Sequence, residues 1–221
     1  MAISLYTGSP GSGKSLHCTS NIIKSLEKGV NVISNYSIDI SKINCHQKAI
    51  YRHLTDSEIT VEYLIEFALK NHVKGKEGQT MLVLDEAQLK FNSRSWQEKN
   101  RILWTKFFTV HRHLGYEVIM ATQKDTFLDS QIRGLVEYEF IHKNLKKSKL
   151  GDIIPFMPNI FICIKVWYHS KMKIAASYFL MSKKVTSCYD SYIMFDKVMD
   201  ELLKIEGGKN AKSIPAPKIL S

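Results

Sequence analysis

A glycine-rich stretch near the start of the chain has the spacing of a nucleotide-binding phosphate loop. Residues 8–15 read G-S-P-G-S-G-K-S and fit the pattern G-x-x-x-x-G-K-[ST]. A β-prone run precedes the stretch, and residues 16–27 follow it with helical spacing. In such a loop, successive backbone N–H groups and the helix N-terminus bind phosphate oxygens. The residues predicted to hold a nucleotide are Gly8, Ser9, Pro10, Gly11, Ser12, Gly13, Lys14, Ser15 and Leu16.

Within this loop two side chains have separate expected tasks. Lys14 is predicted to reach the β- and γ-phosphates of ATP, and the Ser15 hydroxyl to take a place on Mg²⁺. The alternative is a glycine-rich turn that matches the pattern by chance. The strand before it and the helix after it favour the phosphate loop.

A second motif, residues 81–86 (M-L-V-L-D-E), is typical of a buried parallel strand with carboxylates at its carboxyl end. Open α/β sheets bind ligands at that edge. Asp85 is predicted to hold Mg²⁺, and Glu86 to act as general base on the attacking water. The acid pair favours ATP hydrolysis over phosphoryl transfer to a small acceptor. The alternative is an ordinary strand that runs into a polar loop.

Four further residues are candidates for sensing or completing the site. Gln123 ends the strand expected beside the one that bears Asp85, so its amide is predicted to contact the γ-phosphate or the water. A solvated strand-end amide is the alternative. Arg112 is the first choice for an arginine supplied to a neighbouring subunit's γ-phosphate, with Arg94 and Arg133 as competitors. A solvated surface role remains open for each arginine.

The chain is basic, with a net charge of +10 over 221 residues. That excess suits single-stranded DNA or an anionic membrane surface, although a solvated lysine-rich surface is an equal alternative. The first patch to test contains Lys143, Lys146, Lys147 and Lys149. The cysteines, which are Cys18, Cys45, Cys163 and Cys188, lack zinc-ligand or redox spacing and are expected to be reduced thiols. The sequence shows no signal-peptide pattern and no apolar run of about 20 residues that could span a membrane.

Alternating strand and helix signals predict an α/β fold with a mainly parallel sheet covered by helices on both faces. Strands are predicted at residues 30–33, 81–84, 117–121 and 136–141, and a hairpin at 160–168 and 174–180. Helices are predicted after a capping box at Thr55 and Glu58, over 99–114 and over 193–205. The expected division is an ATPase core over 1–145, an extension with the hairpin and last helix over 146–206, and a flexible tail over 207–221.

The motifs in order resemble the zonular occludens toxin family, which includes the gene I assembly ATPases of filamentous phages. The resemblance is carried by residues 8–15, 30–35, 84–88 (L-D-E-A-Q), 94–96, 111–115 (H-R-H-L-G), 121–123 (A-T-Q) and 132–133, and weakly by 184–192. It implies a P-loop NTPase of the additional-strand type, near the FtsK and HerA translocases. It also implies a homo-oligomeric ring, expected to be a hexamer, at the cytoplasmic face of the host inner membrane. There the ring would work with coat and membrane assembly proteins while the virion is extruded. Members of this family usually carry a membrane span after the ATPase domain; the sequence shows no such span, so the chain is expected to be peripheral to the membrane.

Several functions remain open at this stage. The first is an ATP-driven motor of phage assembly or extrusion, and the second is a DNA-packaging or conjugation-type translocase. The third is a nucleotide-dependent structural adaptor, for which Glu86 would be dispensable. A small-molecule kinase is disfavoured, because the sequence has no evident arginine-rich lid.

Overall fold

The computed structural model describes residues 2–92, 98–147 and 158–189. These residues form an eight-stranded sheet with the order β3-β2-β4-β5-β1-β6-β7-β8. Neighbours from β3 to β6 are parallel, while β7 is antiparallel to both of its neighbours, β6 and β8. The strands are β1 (Ile3–Thr7), β2 (Asn31–Ser34), β3 (Tyr51–His53), β4 (Thr80–Leu84), β5 (Tyr116–Thr122), β6 (Tyr138–Asn144), β7 (Ile160–Trp167) and β8 (Lys173–Leu180).

Helices cover both faces of this sheet, as the alternating pattern predicts. They are α1 (Lys14–Glu27), α2 (Val61–Asn71), α3 (Glu98–Val110), α4 (Ser130–Gly134) and α5 (Lys183–Cys188). Successive strand residues point to opposite faces, so Leu82 and Leu84 pack with α2 and α3 while Met81 and Val83 pack with α1 and α5. None of the helices in the described ranges is long and apolar enough to cross a membrane.

Strand β5 lies between the strand that leads into the phosphate loop and the strand that ends in Asp85. It pairs with β1 on one side and β4 on the other. This insertion is the additional-strand arrangement, and the predicted fold class is confirmed. Because all three strands are parallel, their carboxyl ends meet at one sheet edge.

Some predicted boundaries were wrong for physical reasons. Thr55 and Glu58 bond to each other as in a capping box, yet α2 begins at Val61 with Thr60 as its cap. Helix α3 ends at Val110, because Tyr116 N–H donates to His111 O and closes a turn over Gly115. Strand β6 continues to Asn144, since β7 pairs with it that far. The predicted helix over 193–205 and the tail lie outside the described residues.

The predicted hairpin is present as β7 and β8, and it continues the sheet of the core through β6. Strand β3 was missed in what the sequence suggests is a polar connection. Its register places Tyr51, Arg52 and His53 beside β2, where it forms a parallel edge of the sheet. The boundary predicted near residue 145 stays a prediction.

Candidate functional site

The phosphate loop owes its shape to glycines in backbone conformations that other residues rarely adopt. The φ angles of Gly8, Gly11 and Gly13 are 148°, 73° and 96°. Gly13 immediately precedes α1, which begins at Lys14. Space is also short, because a Cβ added at Gly8 would lie 2.5 Å from His142 O and one at Gly13 would lie 2.6 Å from the Phe161 ring. The loop therefore has to be glycine at these positions to pass under β6 and β7.

Replacing Gly8 with alanine is expected to abolish nucleotide binding and to lower stability by about 1–3 kcal/mol, because the residue combines positive φ with a backbone clash. Gly75→Ala is the matched control, since Gly75 has φ +80° but nothing within 4 Å of the added Cβ. Thermal melting and nucleotide titration of both variants check this. Equal behaviour of the two variants would refute the steric explanation.

Lys14 and Ser12 have the chemistry that phosphate binding requires. The buried Lys14 ammonium donates to Gly8 O at 2.8 Å and to Ser9 O at 3.4 Å. Ser12 Oγ is buried and has no hydrogen-bond partner among the described residues. A buried hydroxyl without a partner is costly, so a ligand oxygen at the loop would satisfy it. The loop thus fits a phosphate group.

Ser15 and Asp85 come together from the loop and the acid-bearing strand. Ser15 Oγ donates to Asp85 Oδ2 at 2.7 Å, and Asp85 is only 2% exposed. Burial raises the pKa of the Asp85 carboxyl, while the hydrogen bond from Ser15 opposes that shift. A buried carboxylate is stabilised by a nearby cation. A hydroxyl and a carboxylate at this distance are the oxygen ligands that Mg²⁺ prefers.

Asn35, at the end of β2, holds the backbone that carries these acids. Its side chain accepts from Asp85 N at 2.7 Å and donates to Asp85 O at 2.8 Å and to Asp56 Oδ1 at 2.9 Å. Glu86 follows with φ 46°, a left-handed conformation that is rare for a non-glycine residue. Its carboxylate accepts a hydrogen bond from the Gln88 amide. This turn places Glu86 half-buried beside the Asp85 carboxylate.

Gln123 lies at the same sheet edge, where its backbone contacts the phosphate loop. Its carbonyl accepts from Gly8 N–H at 3.3 Å, and its side chain is exposed. The structure thus brings together the phosphate loop, Asp85, Glu86 and the end of β5 that carries Gln123. A contact of the Gln123 amide with phosphate stays a prediction.

The arginines are placed elsewhere. Arg112 precedes the amino end of β5, at the edge of the sheet opposite the phosphate loop, and forms an ion pair with Glu137. Arg133 lies on α4, where its buried Nε has no hydrogen-bond partner among the described residues. Arg94 lies outside the described residues. None of these placements tests a role toward a neighbouring subunit.

Tyr189 is a site residue to which the sequence analysis assigned no role. Its phenol lies near Ser15 and Asp85. Burial and, to a smaller extent, the charge of Asp85 raise the pKa of Tyr189 to about 12, while a hydrogen bond with Ser15 opposes that shift. Its ring meets the buried Tyr36 ring edge-on at 5.5 Å. The sequence signal was its place in the weakly matching end of the family pattern, but only the packing of α5 against α1 brings it to the loop.

Comparison with known proteins agrees with this architecture. The model of the family described as zonular occludens toxin (Zot) matches residues 2–193. The Gene 1 protein of Escherichia phage If1 is 29% identical over 170 residues, which cover 74% of this chain and 46% of that protein. The chain therefore spans less than half the length of this relative.

Two solved structures share the fold. The N-terminal domain of zonular occludens toxin from Neisseria meningitidis superimposes with a TM-score of 0.52 at 19% identity, over 86% of this chain and 98% of that domain. The genome packaging NTPase B204 from Sulfolobus turreted icosahedral virus 2, in complex with ATP-gammaS, gives a TM-score of 0.52 at 15% identity, over 82% of this chain and 98% of B204. With the family match over most of its length, the chain belongs to the zonular occludens toxin family.

Proposed function

We propose that this chain hydrolyses ATP to drive filamentous phage assembly and extrusion at the host inner membrane. The observation that carries the hydrolase assignment is the 2.7 Å hydrogen bond between Ser15 Oγ and Asp85 Oδ2. It joins the phosphate loop to the strand that ends in paired acids, which is the arrangement that nucleotide hydrolysis requires. The process is inferred from membership in the family and from the likeness to a phage Gene 1 protein.

Each site residue has a proposed task in this reaction. Lys14 exchanges its hydrogen bonds to the loop carbonyls for bonds to the terminal phosphates. The Ser12 hydroxyl, which has no partner among the described residues, donates to a phosphate oxygen. Ser15 and Asp85 hold Mg²⁺, which would neutralise phosphate charge when bound. Glu86 accepts the proton of the attacking water, and Gln123 orients that water or senses the terminal phosphate. Asn35 and Tyr189 position this set.

The proposed assembly is a homo-oligomeric ring, with a hexamer as the expected form, in which an arginine crosses the subunit boundary. Its proposed partners are phage coat and membrane assembly proteins, with the chain lying peripherally on the cytoplasmic face of the inner membrane. A DNA-packaging or conjugation-type translocase is the second candidate. The net charge of +10 favours an anionic partner in either case.

Turnover in the presence of single-stranded DNA separates the two candidates. We expect single-stranded DNA to stimulate ATP hydrolysis if the chain is a translocase, and to leave hydrolysis unchanged if it is a coat-protein motor. Coat protein should stimulate hydrolysis only in the second case. If the basic stretch that begins near the end of β6 binds DNA or an anionic membrane, Lys143→Gln, Lys146→Gln and Lys149→Gln together should weaken binding most at low salt, because fewer counterions are released. Lys149 lies outside the described residues. Lys147 is left out, since its ammonium contacts the phosphate loop.

The matched control is the triple variant Lys28→Gln, Lys48→Gln and Lys74→Gln, which removes the same charge from exposed sites elsewhere on the chain. Binding to DNA and to anionic vesicles is measured by fluorescence anisotropy and sedimentation. Equal loss of binding in the two triple variants would mean that net charge, and not this patch, determines the affinity. Unchanged binding in both variants would mean that the patch is a solvated surface without a ligand.

A further inference from the structure

The end of β6 and the turn at residues 145–147 lie directly against the phosphate loop. Lys147 Nζ donates to Pro10 O at 3.3 Å, and Asn144 Nδ2 donates to Gly11 O at 3.4 Å. A Cβ added at Gly11 would lie 2.4 Å from Lys147 Nζ. The ammonium group of Lys147 therefore lies on the middle of the loop, although the side chain is exposed to solvent.

The segment that carries Lys147 is anchored on the same side of the loop. Asn144 Oδ1 accepts from Lys146 N–H at 3.0 Å and fixes the turn at residues 145–147. On either side of that turn, His142 O lies against Gly8 and the Phe161 ring against Gly13. Asn144 and Phe161 are paired in the sheet. The position of Lys147 thus follows from strand pairing.

Two ammonium groups now lie on neighbouring carbonyls of one loop. Lys14 bonds to Gly8 O and Ser9 O, and Lys147 bonds to Pro10 O. Within the described residues, neither lysine forms an ion pair with a carboxylate. A neutral carbonyl is a weaker partner for an ammonium group than a phosphate oxygen is. Both cations are placed to exchange these carbonyls for an anion with several charges.

We propose that Lys147 is a second cationic ligand of the nucleotide, supplied from the same chain and directed to the terminal phosphate of a nucleoside triphosphate. The inference rests on the proposed nucleotide-binding function and adds a residue that binds triphosphate in preference to diphosphate. Lys14 reaches the β- and γ-phosphates from the helix side of the loop. Lys147 would approach the same phosphates from the side of β6 and β7, whose residues His142 and Phe161 lie against the loop.

The test is the affinity of the whole chain for Mg²⁺-ATPγS and for Mg²⁺-ADP, measured by calorimetry at one ionic strength. Lys147→Gln should weaken ATPγS binding by about tenfold and ADP binding by no more than about twofold, since only the triphosphate loses a charge-assisted contact. Lys147→Arg should retain most of the preference. Lys173→Gln is the charge-matched control, because Lys173 is exposed at the opposite end of the hairpin, where β8 pairs with Val166.

The outcomes separate this inference from the proposed function. If the wild type binds neither nucleotide, or if Lys14→Ala binds as tightly as the wild type, the proposed function fails. If the wild type binds and Lys147→Gln matches Lys173→Gln, only the role of Lys147 is refuted. Equal loss for ATPγS and ADP would likewise overturn its assignment to the terminal phosphate. Lys147 is exposed, so a folded variant is expected and thermal melting checks it.

Discussion

Replacing Glu86 with glutamine is expected to leave Mg²⁺-ATP binding close to that of the wild type and to reduce hydrolysis by about 10²–10⁴-fold. Glutamine preserves size and hydrogen bonding but cannot accept the proton of the attacking water. The residue occupies a left-handed turn directly after Asp85, with φ 46°, and its carboxylate is bonded to Gln88. A left-handed backbone at a non-glycine residue is strained, and such strain persists where the surrounding structure holds a functional group in place.

The measurement is single-turnover phosphate release alongside nucleotide titration. Glu62→Gln is the control, because it neutralises an exposed glutamate in the first turn of α2, away from the sheet edge. Wild-type turnover in Glu86→Gln would exclude Glu86 as the base. Loss of ATP binding instead of turnover would mean that Glu86 acts by holding the Asp85 turn.

Replacing Arg112 with alanine is expected to reduce turnover of the assembled protein by about 10³-fold while nucleotide binding by each subunit is retained. Arg112 and the phosphate loop of the same chain lie at opposite edges of the sheet, so any contact of this guanidinium with ATP has to be made across a subunit boundary. Its ion pair with Glu137 is partly exposed to solvent, so the pair contributes little stability that would oppose release of the guanidinium toward a neighbouring subunit.

Mixing of inactive variants tests whether the arginine acts across a subunit boundary. Arg112→Ala subunits retain an intact phosphate loop, and Lys14→Ala subunits retain the arginine, so mixed assemblies should recover part of the lost turnover. Arg52→Ala, at an exposed position of β3, controls for loss of an arginine. If Arg112→Ala hydrolyses ATP normally, the role passes to Arg94 or Arg133.

The parts of the site that the sequence predicts are those with a local cause. The phosphate loop follows from glycines that must adopt positive φ, and the buried strand that ends in Asp85 follows from an uninterrupted apolar run. Parallel pairing then brings Ser15 and Asp85 together without further information. The hairpin was equally predictable, because two β-prone runs flank a short polar turn.

The parts that were missed depend on contacts between residues distant in sequence. Tyr189 reaches Ser15 only because α5 packs on α1, and Lys147 reaches Pro10 only because β6 continues to Asn144. In α2, Leu69 has helical spacing but is 79% exposed, while Phe67 is buried instead. The two lie on different sides of the helix, and only the packing against α3 and the sheet decides which is buried. The helical period of the sequence predicts an apolar stripe, but it does not determine which residues at the margins of that stripe are buried.

The most direct test of the central claim is Mg²⁺-dependent phosphate release from ATP by the wild-type chain, compared with Lys14→Ala at the same protein concentration. We predict release that requires Mg²⁺, disappears in Lys14→Ala and rises with protein concentration as subunits assemble. Lys14 is the buried lysine of α1 whose ammonium group bonds to the loop carbonyl of Gly8, so its removal takes that cation out of the site. Release at the same rate in both proteins, or none from a wild type that binds ATP and forms oligomers, would contradict the assignment of this chain as an ATPase motor.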